Sequence, residues 1–147
     1  DKALEYLEIG KKEGRLAAGG ERSGEEGFYL KPTVFTGIER GHRLFREEIF
    51  APVLAVTRVA DFEEGLAAAN DTQYGLTGAY FGRNPERIER AARELHAGNL
   101  YINRKCTGAL VGGHPFGGFN LSGTDSKAGG RDYLLLFLQA KLISRAK

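Results

Sequence analysis

The segment from Asn103 to Gly130 concentrates the residues that could do chemistry. It carries glycine at positions 108, 112, 113, 117, 118 and 123, and glycine lets the backbone approach a ligand closely and adopt unusual conformations. Successive amides in such a loop can form a concave site for an anion. A flexible surface loop is the alternative, but Pro115, Phe116 and Phe119 indicate order. We therefore expect an ordered loop that binds an anionic group.

Cys106, the single cysteine of the chain, lies in the same segment and is a candidate nucleophile. Arg104 and Lys105 beside it would favour the thiolate, but the sequence fixes no histidine or acid next to it as a base. We therefore expect Cys106 to be a small packing residue, as free cysteines often are. It cannot form an internal disulfide, so a reducing, cytoplasmic compartment is expected.

The histidines and glycines match no metal or phosphate motif. His42, His96 and His114 lack the spacing of metal ligands, so no metal site is expected. Neither of the common glycine-rich nucleotide-phosphate motifs occurs. His114 lies in the glycine-rich segment, where a supporting polar role is favoured over acid–base catalysis.

The segment Glu47–Val53, EEIFAPV, is the second candidate. A carboxylate there could accept hydrogen bonds from ribose hydroxyls, and an aromatic ring could pack on a flat base. The alternative is a helix end that runs into a strand with solvated acids. The pattern by itself favours that alternative.

Composition narrows the classes of partner. The 147 residues, a length typical of one domain, carry 21 basic and 19 acidic residues with a net charge of +2. This mixed charge argues against binding to nucleic acid or an anionic membrane surface, and no apolar run approaches the length of a membrane span. The chain begins at Asp1 and contains no methionine, so we expect a piece of a longer product.

The periodicity of apolar residues predicts an alternation of helices and strands. A first helix is expected over Asp1–Lys12. A second is expected to be capped by Asp61, with Glu64 three residues later and an inner stripe of Phe62, Leu66 and Ala69. A third is expected to begin at Asn84-Pro85 and to bury Ile88, Ala91, Ala92 and Leu95. Expected extended segments are Arg15–Ala18, Phe28–Phe35 (near a sheet edge because of Pro32), Val53–Val59, Leu76–Phe81 and Asn99–Ile102. Arg46–Phe50 is expected as a turn, Asp132 starts a short apolar helix, and Lys141–Ser144 reads as a final strand.

This order predicts an α/β fold with a partial parallel sheet and crossover helices. In such sheets ligands bind at the carboxyl ends of the strands. The glycine-rich segment follows the Asn99–Ile102 strand directly, which is the place where a ligand-binding loop is expected.

Several motifs together resemble the aldehyde dehydrogenase superfamily. They are Glu47–Val53, Ala69–Thr77 (ANDTQYGLT), Gly98–Asn103 (GNLYIN), Pro115–Gly118 (PFGG) and Ser122-Gly123. Their order and spacing are similar to the carboxy-terminal third of that family, over nearly the whole chain. The resemblance implies that residues 1–139 form the carboxy-terminal portion of a catalytic domain and that residues 140–147 form an oligomerisation strand.

Within the superfamily, Arg104–Gly112 and Ser122–Gly130 resemble the members that act in proline degradation. Those members oxidise L-glutamate γ-semialdehyde, which is in equilibrium with 1-pyrroline-5-carboxylate, to L-glutamate with NAD+. The resemblance therefore implies a small-molecule substrate, NAD as cofactor and a homo-oligomer for the full-length enzyme.

The resemblance also implies roles for individual residues. Glu48 matches the acid that holds the nicotinamide ribose, and Phe50 matches the aromatic beside the nicotinamide. Gly108 and Ala109 match the backbone amides that grip the α-carboxylate of the substrate. Phe116 matches the aromatic that packs on the aldehyde chain. Lys141–Ser144 resembles the strand that pairs with the oligomerisation flap of a partner subunit.

The chain also departs from the family pattern. The family's nucleophilic cysteine, general-base glutamate and oxyanion asparagine lie upstream of this region, and Cys106 does not match the nucleophile. We therefore expect no catalytic residue here and no activity of the chain alone. Ala51 replaces a usual glycine and would strain the turn if its φ were positive. A carboxylate-binding or assembly module without catalysis is the alternative function.

Overall fold

The computed structural model describes residues 2–24, 26–107, 109–110, 113–123, 128–130 and 132–146. It divides the chain into two compact units, residues 1–71 and 72–147. Each unit has its own parallel strand pair, which confirms the α/β class predicted from the sequence.

The first unit contains a three-stranded sheet and three helices. Its elements are α1 (Lys2–Glu13), β1 (Arg15–Ala18), β2 (Thr33–Thr36), α2 (Arg43–Arg46), β3 (Val53–Val56) and α3 (Phe62–Asn70). Strand β2 pairs antiparallel with β1 and parallel with β3, in the register Thr33↔Val53 to Thr36↔Val56. The predicted edge position of the Phe28–Phe35 segment is therefore wrong. Pro32 lies just before β2, so its missing N–H does not interrupt the ladder.

The core of this unit forms where α1 packs on the sheet. Its buried members are Tyr6, Leu7, Phe35, Ile38 and Leu44. Phe35 is fully buried, and Gly10 of α1 lies against its ring. A Cβ atom on Gly10 would lie 2.5 Å from Cε2 of Phe35 and 2.8 Å from Cδ2 of Leu44. The helix therefore approaches the sheet as closely as it does because residue 10 has no side chain.

Helix α3 begins as the sequence predicts. The Asp61 carboxylate accepts a hydrogen bond from the Glu64 N–H at 2.9 Å, while the Glu64 carboxylate accepts one from the Ala60 N–H at 2.6 Å. Both bonds satisfy amides at or just before the start of the helix. The buried face is shifted from the prediction, because Ala68 is buried and Ala69 is exposed.

The second unit is built on two parallel strands joined by a helix. They are β4 (Thr77–Tyr80), α4 (Pro85–Glu94) and β5 (Asn99–Ile102), paired from Thr77↔Asn99 to Tyr80↔Ile102. Asn84 caps α4 by accepting a hydrogen bond from the Arg87 N–H at 3.1 Å, as predicted. Ala91 is fully buried, but Ala92 is exposed, so the predicted stripe is too wide by that residue.

The carboxy-terminal region consists of short elements. Two 3-10 helices cover Asn120–Ser122 and Tyr133–Phe137, the second where a short apolar helix was predicted. Residues 138–146 have no regular secondary structure, and Leu142 is 94% exposed. The predicted strand Lys141–Ser144 is thus not formed within the chain, and its pairing with a partner subunit stays a prediction. Among the described residues, no helix has the length and apolar character that crossing a bilayer requires.

The packing of Gly10 gives a prediction about stability. Alanine is intrinsically a better helix residue than glycine by about 1 kcal/mol, but overpacking a core costs about 1–3 kcal/mol. We expect Gly10→Ala to lower the free energy of unfolding by up to about 2 kcal/mol, which is the overpacking cost less the gain in helix propensity, measured by urea denaturation followed by circular dichroism.

Gly65→Ala in α3 is the matched control. The nearest atom to its added Cβ would be Cγ2 of Val59, at 3.4 Å, which is ordinary contact. This variant should be as stable as the parent or more stable, by up to about 1 kcal/mol. Equal stabilisation by both alanines would contradict the packing described for α1.

Candidate functional site

Glu48 and Phe50, both predicted to bind a cofactor, follow helix α2 in the first unit. The Glu13 carboxylate, at the end of α1, accepts hydrogen bonds from the N–H groups of Arg43 (2.9 Å) and Leu44 (3.0 Å). These two amides open α2, where a short helix has no internal acceptors for them. Since Leu44 is also buried in the core, α2 is fixed before the chain reaches Glu48.

Glu47, at the end of α2, is held by two side chains. Arg43 donates from Nε to Oε1 (2.8 Å) and from Nη2 to Oε2 (2.9 Å), and the Tyr6 hydroxyl donates to Oε2. The hydrogen bonds from Arg43, then that from Tyr6, lower the pKa of Glu47 to about 2. The hydrogen bond from Tyr6 to Glu47 also raises the pKa of Tyr6, and the hydrogen bonds from Arg43 to Glu47 raise the pKa of Arg43. Glu47 is therefore an anchor that ties the end of α2 to helix α1.

Glu48 differs from its neighbour in having an uncommitted carboxylate. Its side chain is exposed, and in the described part of the chain it takes part in no hydrogen bond or ion pair. Only its backbone oxygen is engaged, as a distant acceptor for Lys2 Nζ at 3.5 Å. An ionised carboxylate of this kind has all its acceptor positions available for the hydroxyl groups of a ligand. The sequence shows two equivalent acids, whereas the structure gives them different tasks.

Phe50 projects into solvent from a strained backbone. Its ring is 91% exposed and its φ is +55°, in the left-handed region that large residues rarely adopt. Ala51 is not among the described residues with positive φ. The backbone strain that the sequence suggested for Ala51 is therefore found at Phe50, one residue earlier. Beyond the turn, the Thr33 N–H donates to the Pro52 oxygen at 2.8 Å and starts the β2–β3 ladder. The segment that carries Glu48 and Phe50 is thus fixed at both ends.

The predicted substrate residues lie in the second unit, after β5. Asn103 opens this loop with φ +53°, and its carboxamide donates to the Gly82 oxygen (2.9 Å) and accepts from the Gly82 N–H (2.8 Å). Its own N–H donates to the Tyr80 oxygen at 2.8 Å. The side chain therefore continues the β4–β5 pairing for one more residue and fixes the point from which the loop departs.

Ala109 directly precedes Leu110, whose backbone is held by His114. The Leu110 oxygen accepts from the N–H groups of Gly113 (3.0 Å) and His114 (2.7 Å), and the Leu110 N–H donates to Nδ1 of His114 (3.3 Å). His114 thus has the supporting polar contact expected for it. Among the described residues the Ala109 N–H has no hydrogen-bond partner. Gly108, the other predicted carboxylate-binding residue, lies outside the described residues.

Phe116 is held by its backbone. Its N–H donates to the Ala128 oxygen (2.8 Å), and its oxygen accepts from the Ala128 N–H (3.0 Å), which makes an isolated antiparallel bridge. On the other side, the Asn99 carboxamide donates to the Pro115 oxygen (2.9 Å) and accepts from the Gly117 N–H (3.4 Å). Its ring remains 37% exposed, so a fixed backbone presents a partly accessible aromatic side chain.

Gly98 and Gly118 allow close backbone packing within the chain. A Cβ atom on Gly118 would lie 2.5 Å from the Gly75 oxygen, and one on Gly98 would lie 1.8 Å from the Gly117 oxygen. The same Gly75 oxygen accepts hydrogen bonds from the N–H groups of Gly98 (2.9 Å) and Phe119 (3.0 Å). Sequence reasoning gave all the loop glycines one role and missed this close backbone contact with the starts of β4 and β5.

A cavity of about 470 Å³ lies beside this loop. Its walls include Asn99, Tyr101, Arg104, His114 and Pro115, and its size is within the range of small-molecule sites. Arg104 stacks on the Tyr101 ring, with the guanidinium carbon 5.2 Å from the ring centroid. The second unit therefore combines a cavity with a cation in its wall.

The order of these segments along the chain matches one family over residues 1–143, the aldehyde dehydrogenase family. The chain belongs to the aldehyde dehydrogenase family. It is 58% identical over 144 residues to the 1-pyrroline-5-carboxylate dehydrogenase of Geobacillus sp. strain WCH70 and to 1-pyrroline-5-carboxylate dehydrogenase 2 of Bacillus subtilis strain 168, covering 98% of this chain and 28% of each relative. The chain thus spans a little over a quarter of the length of these relatives.

Solved structures of aldehyde dehydrogenases agree with the fold. The 1-pyrroline-5-carboxylate dehydrogenase from Thermus with bound NAD superimposes with a TM-score of 0.91 and 59% identity, over 94% of this chain and 27% of the Thermus chain. Proline utilization A from Bdellovibrio bacteriovorus gives a TM-score of 0.88 and 43% identity, over 95% of this chain and 14% of its own. The predicted membership of the family is therefore confirmed.

Cys106 does not behave as predicted in this aldehyde dehydrogenase chain. The thiol is exposed rather than packed, so the expectation of a packing residue is wrong for the described structure. Its neighbour Arg104 donates to Thr107 Oγ1 at 2.9 Å. No cluster of three or more metal-ligating side chains occurs among the described residues.

The anchoring of Glu47 gives a prediction about pH. Because its pKa is lowered from 4.5 to about 2 in the folded chain, the ionised carboxylate stabilises the fold fully above pH about 4.5, and this contribution is lost as the pH falls towards about 2. Urea denaturation across this window should show a wild-type advantage over Glu47→Gln that shrinks as the pH falls.

The control is Glu39→Gln, which removes an exposed carboxylate that has no hydrogen bond or ion pair within the described residues. Its difference from wild type should vary little with pH. A wild-type advantage over Glu47→Gln that stays constant, or grows on acidification, would contradict the anchor.

Proposed function

We propose that this chain supplies the carboxy-terminal part of an NAD-dependent dehydrogenase that oxidises L-glutamate γ-semialdehyde to L-glutamate. The observation that carries the proposal is the contrast between the anchored Glu47 and the free, exposed carboxylate of Glu48. The relatives that share most of this chain are 1-pyrroline-5-carboxylate dehydrogenases, and one solved relative holds NAD. The cytoplasm is the proposed location.

In this proposal Glu48 and Phe50 contribute to cofactor binding. The free carboxylate of Glu48 suits a pair of ribose hydroxyls, since it can accept two strong, charge-assisted hydrogen bonds. The Phe50 ring, exposed on a turn fixed at both ends, suits packing against a flat heteroaromatic ring. NAD, when bound, would accept the hydride from the substrate. The residues of this chain would hold its ribose in the orientation that hydride transfer requires.

The second unit would bind the substrate. The Ala109 amide, which has no partner among the described residues, and the neighbouring Gly108 amide would donate to the α-carboxylate, and Phe116 would pack on the aliphatic chain of the aldehyde. The contacts of His114 with Leu110 hold the backbone next to Ala109 in place. The nucleophile and the general base are assigned to another part of the dehydrogenase, because Cys106 has no base fixed beside it.

The proposal is tested in a chimera. The segment of Bacillus subtilis 1-pyrroline-5-carboxylate dehydrogenase 2 that aligns with this chain is replaced by residues 1–144 of this chain. We expect the chimera to reduce NAD+ with glutamate semialdehyde, and this chain alone to show no turnover. Robust turnover by this chain alone that Cys106→Ala abolishes would overturn the assignment of the nucleophile.

Glu48→Gln in the chimera tests the ribose contact. Replacing a charged acceptor with a neutral one should lower kcat/KM for NAD+ roughly tenfold, and the poorer orientation of the ribose should also lower kcat/KM for the aldehyde at saturating NAD+. Glu39→Gln removes another exposed carboxylate of the same unit and should leave both values unchanged. Parallel losses in the two glutamine variants would show that general charge, not Glu48, matters.

We also propose that residues 140–147 pair with a second copy in a homo-oligomer. The exposure of Leu142 and Ile143, 94% and 77%, supports this, because the burial of exposed apolar side chains in an interface is favourable. Removal of residues 140–147 from this chain should lower the number of subunits in the assembly, measured by size-exclusion chromatography with light scattering. An unchanged mass would count against the tail as an assembly element.

A further inference from the structure

We infer that Asn99 is a positioning residue for Phe116 and thereby sets the preference of the site for the aldehyde chain. The expected effect on the aldehyde rests on the proposed function. The contacts of Asn99 lie within the second unit and do not depend on that function. The Asn99 carboxamide binds the residues on both sides of Phe116, with Nδ2 donating to the Pro115 oxygen at 2.9 Å and Oδ1 accepting from the Gly117 N–H at 3.4 Å.

The carboxamide acts as a substitute for a neighbouring β-strand. In an extended segment, successive peptide groups point to opposite sides. Here the N–H and oxygen of Phe116 face Ala128, at 2.8 and 3.0 Å, whereas the Pro115 oxygen and the Gly117 N–H face Asn99. A primary amide carries N–H donors and an acceptor oxygen in one planar group, as a peptide group does, so Asn99 satisfies both groups that a strand partner would otherwise satisfy.

Asn99 is well placed for this task because its own backbone is fixed. It is the first residue of β5, paired with Thr77, and its N–H donates to the Leu76 oxygen at 3.0 Å. The glycines on either side of the contact allow the close approach, since a Cβ atom on Gly98 would collide with the Gly117 oxygen. The position of Phe116 is therefore fixed by direct contact with a residue of the parallel sheet.

The consequence concerns which substrates respond to the loss of Asn99. Without it, the Pro115 oxygen and the Gly117 N–H lose these partners, while the bonds of Phe116 with Ala128 remain. A displaced Phe116 would weaken the binding of an aldehyde long enough to touch it. Errors of about 1 Å in positioning can cost on the order of a hundredfold in rate, so an effect confined to the long aldehyde is measurable.

The first experiment uses amide hydrogen exchange in this 147-residue chain, read by NMR with isotope-labelled glycine. In Asn99→Ala, the Gly117 amide should exchange at least about tenfold faster than in wild type. In Asn99→Asp, which keeps the acceptor oxygen but loses the donor, Gly117 should stay protected. An unchanged exchange rate of the Gly117 amide in Asn99→Ala would overturn the proposed contact between Asn99 and Gly117, whatever the chain does in catalysis.

The second experiment measures kinetics in the chimera. Both Asn99→Ala and Asn99→Asp should raise KM for glutamate semialdehyde roughly tenfold or more, with KM for NAD+ and kcat/KM for acetaldehyde within about twofold. Acetaldehyde is the probe for an aldehyde too short to reach Phe116. Equal losses with both aldehydes would overturn the positioning role.

Asn84→Ala is the stability control, because it also removes an asparagine hydrogen bond from the second unit, at the start of α4. It should lower the melting temperature, as a lost helix cap does, without the selective rise in KM. If Asn84→Ala reproduces that rise, the role of Asn99 is general stability and the inference fails. A wild-type chimera that folds and binds NAD+ but does not oxidise the aldehyde would instead overturn the proposed function.

Discussion

The bidentate pair between Arg43 and Glu47, closed by the Tyr6 hydroxyl, is the interaction on which the segment proposed to bind the cofactor depends. It joins α1 to the end of α2 at the last residue before Glu48. Ion pairs at such partly exposed positions contribute little to the stability of a whole domain. Their importance here is local, because the pair fixes where the backbone leaves the helix. Glu48 and Phe50 inherit their positions from that point.

The two units solve the same physical problem with different side chains. Both carry candidate ligand-binding residues on irregular segments, and irregular backbone needs partners for its N–H and C=O groups. In the first unit the Glu13 carboxylate supplies acceptors for two amides of α2. In the second unit the carboxamides of Asn99 and Asn103 replace strand neighbours. Ordered binding segments are thus obtained without additional strands or helices.

Local signals account for what the sequence could predict. The caps at Asp61 and Asn84 were predictable, because a cap acts on an amide three residues away and its residue type is distinctive. Strands β1 and β5 were found at their observed bounds from apolar pattern and flanking turns. The class of fold and the family followed from the order of the motifs. These predictions needed no knowledge of tertiary packing.

Tertiary packing accounts for the rest. The different tasks of Glu47 and Glu48 depend on Tyr6, which lies far away in sequence, so no local pattern could separate the two acids. The burial of Ala68 instead of Ala69, and the exposure of Ala92, depend on how each helix is rotated against its neighbours. The bonds of the Asn99 side chain likewise join residues that only the fold brings together. The presence of an asparagine at the start of a strand does not by itself predict these hydrogen bonds.

Phe50 shows how these anchors and the proposed chemistry are connected. A large residue with positive φ costs on the order of 1–3 kcal/mol and persists only where the surrounding structure dictates the backbone. The surroundings here are the Glu47 anchor before it and the bond from Thr33 to Pro52 after it. A relaxed turn would remove the strain but would also redirect the ring. The fold therefore tolerates a small amount of strain, which sets the direction of an exposed aromatic ring two residues after Glu48, as the proposed contact with the cofactor requires.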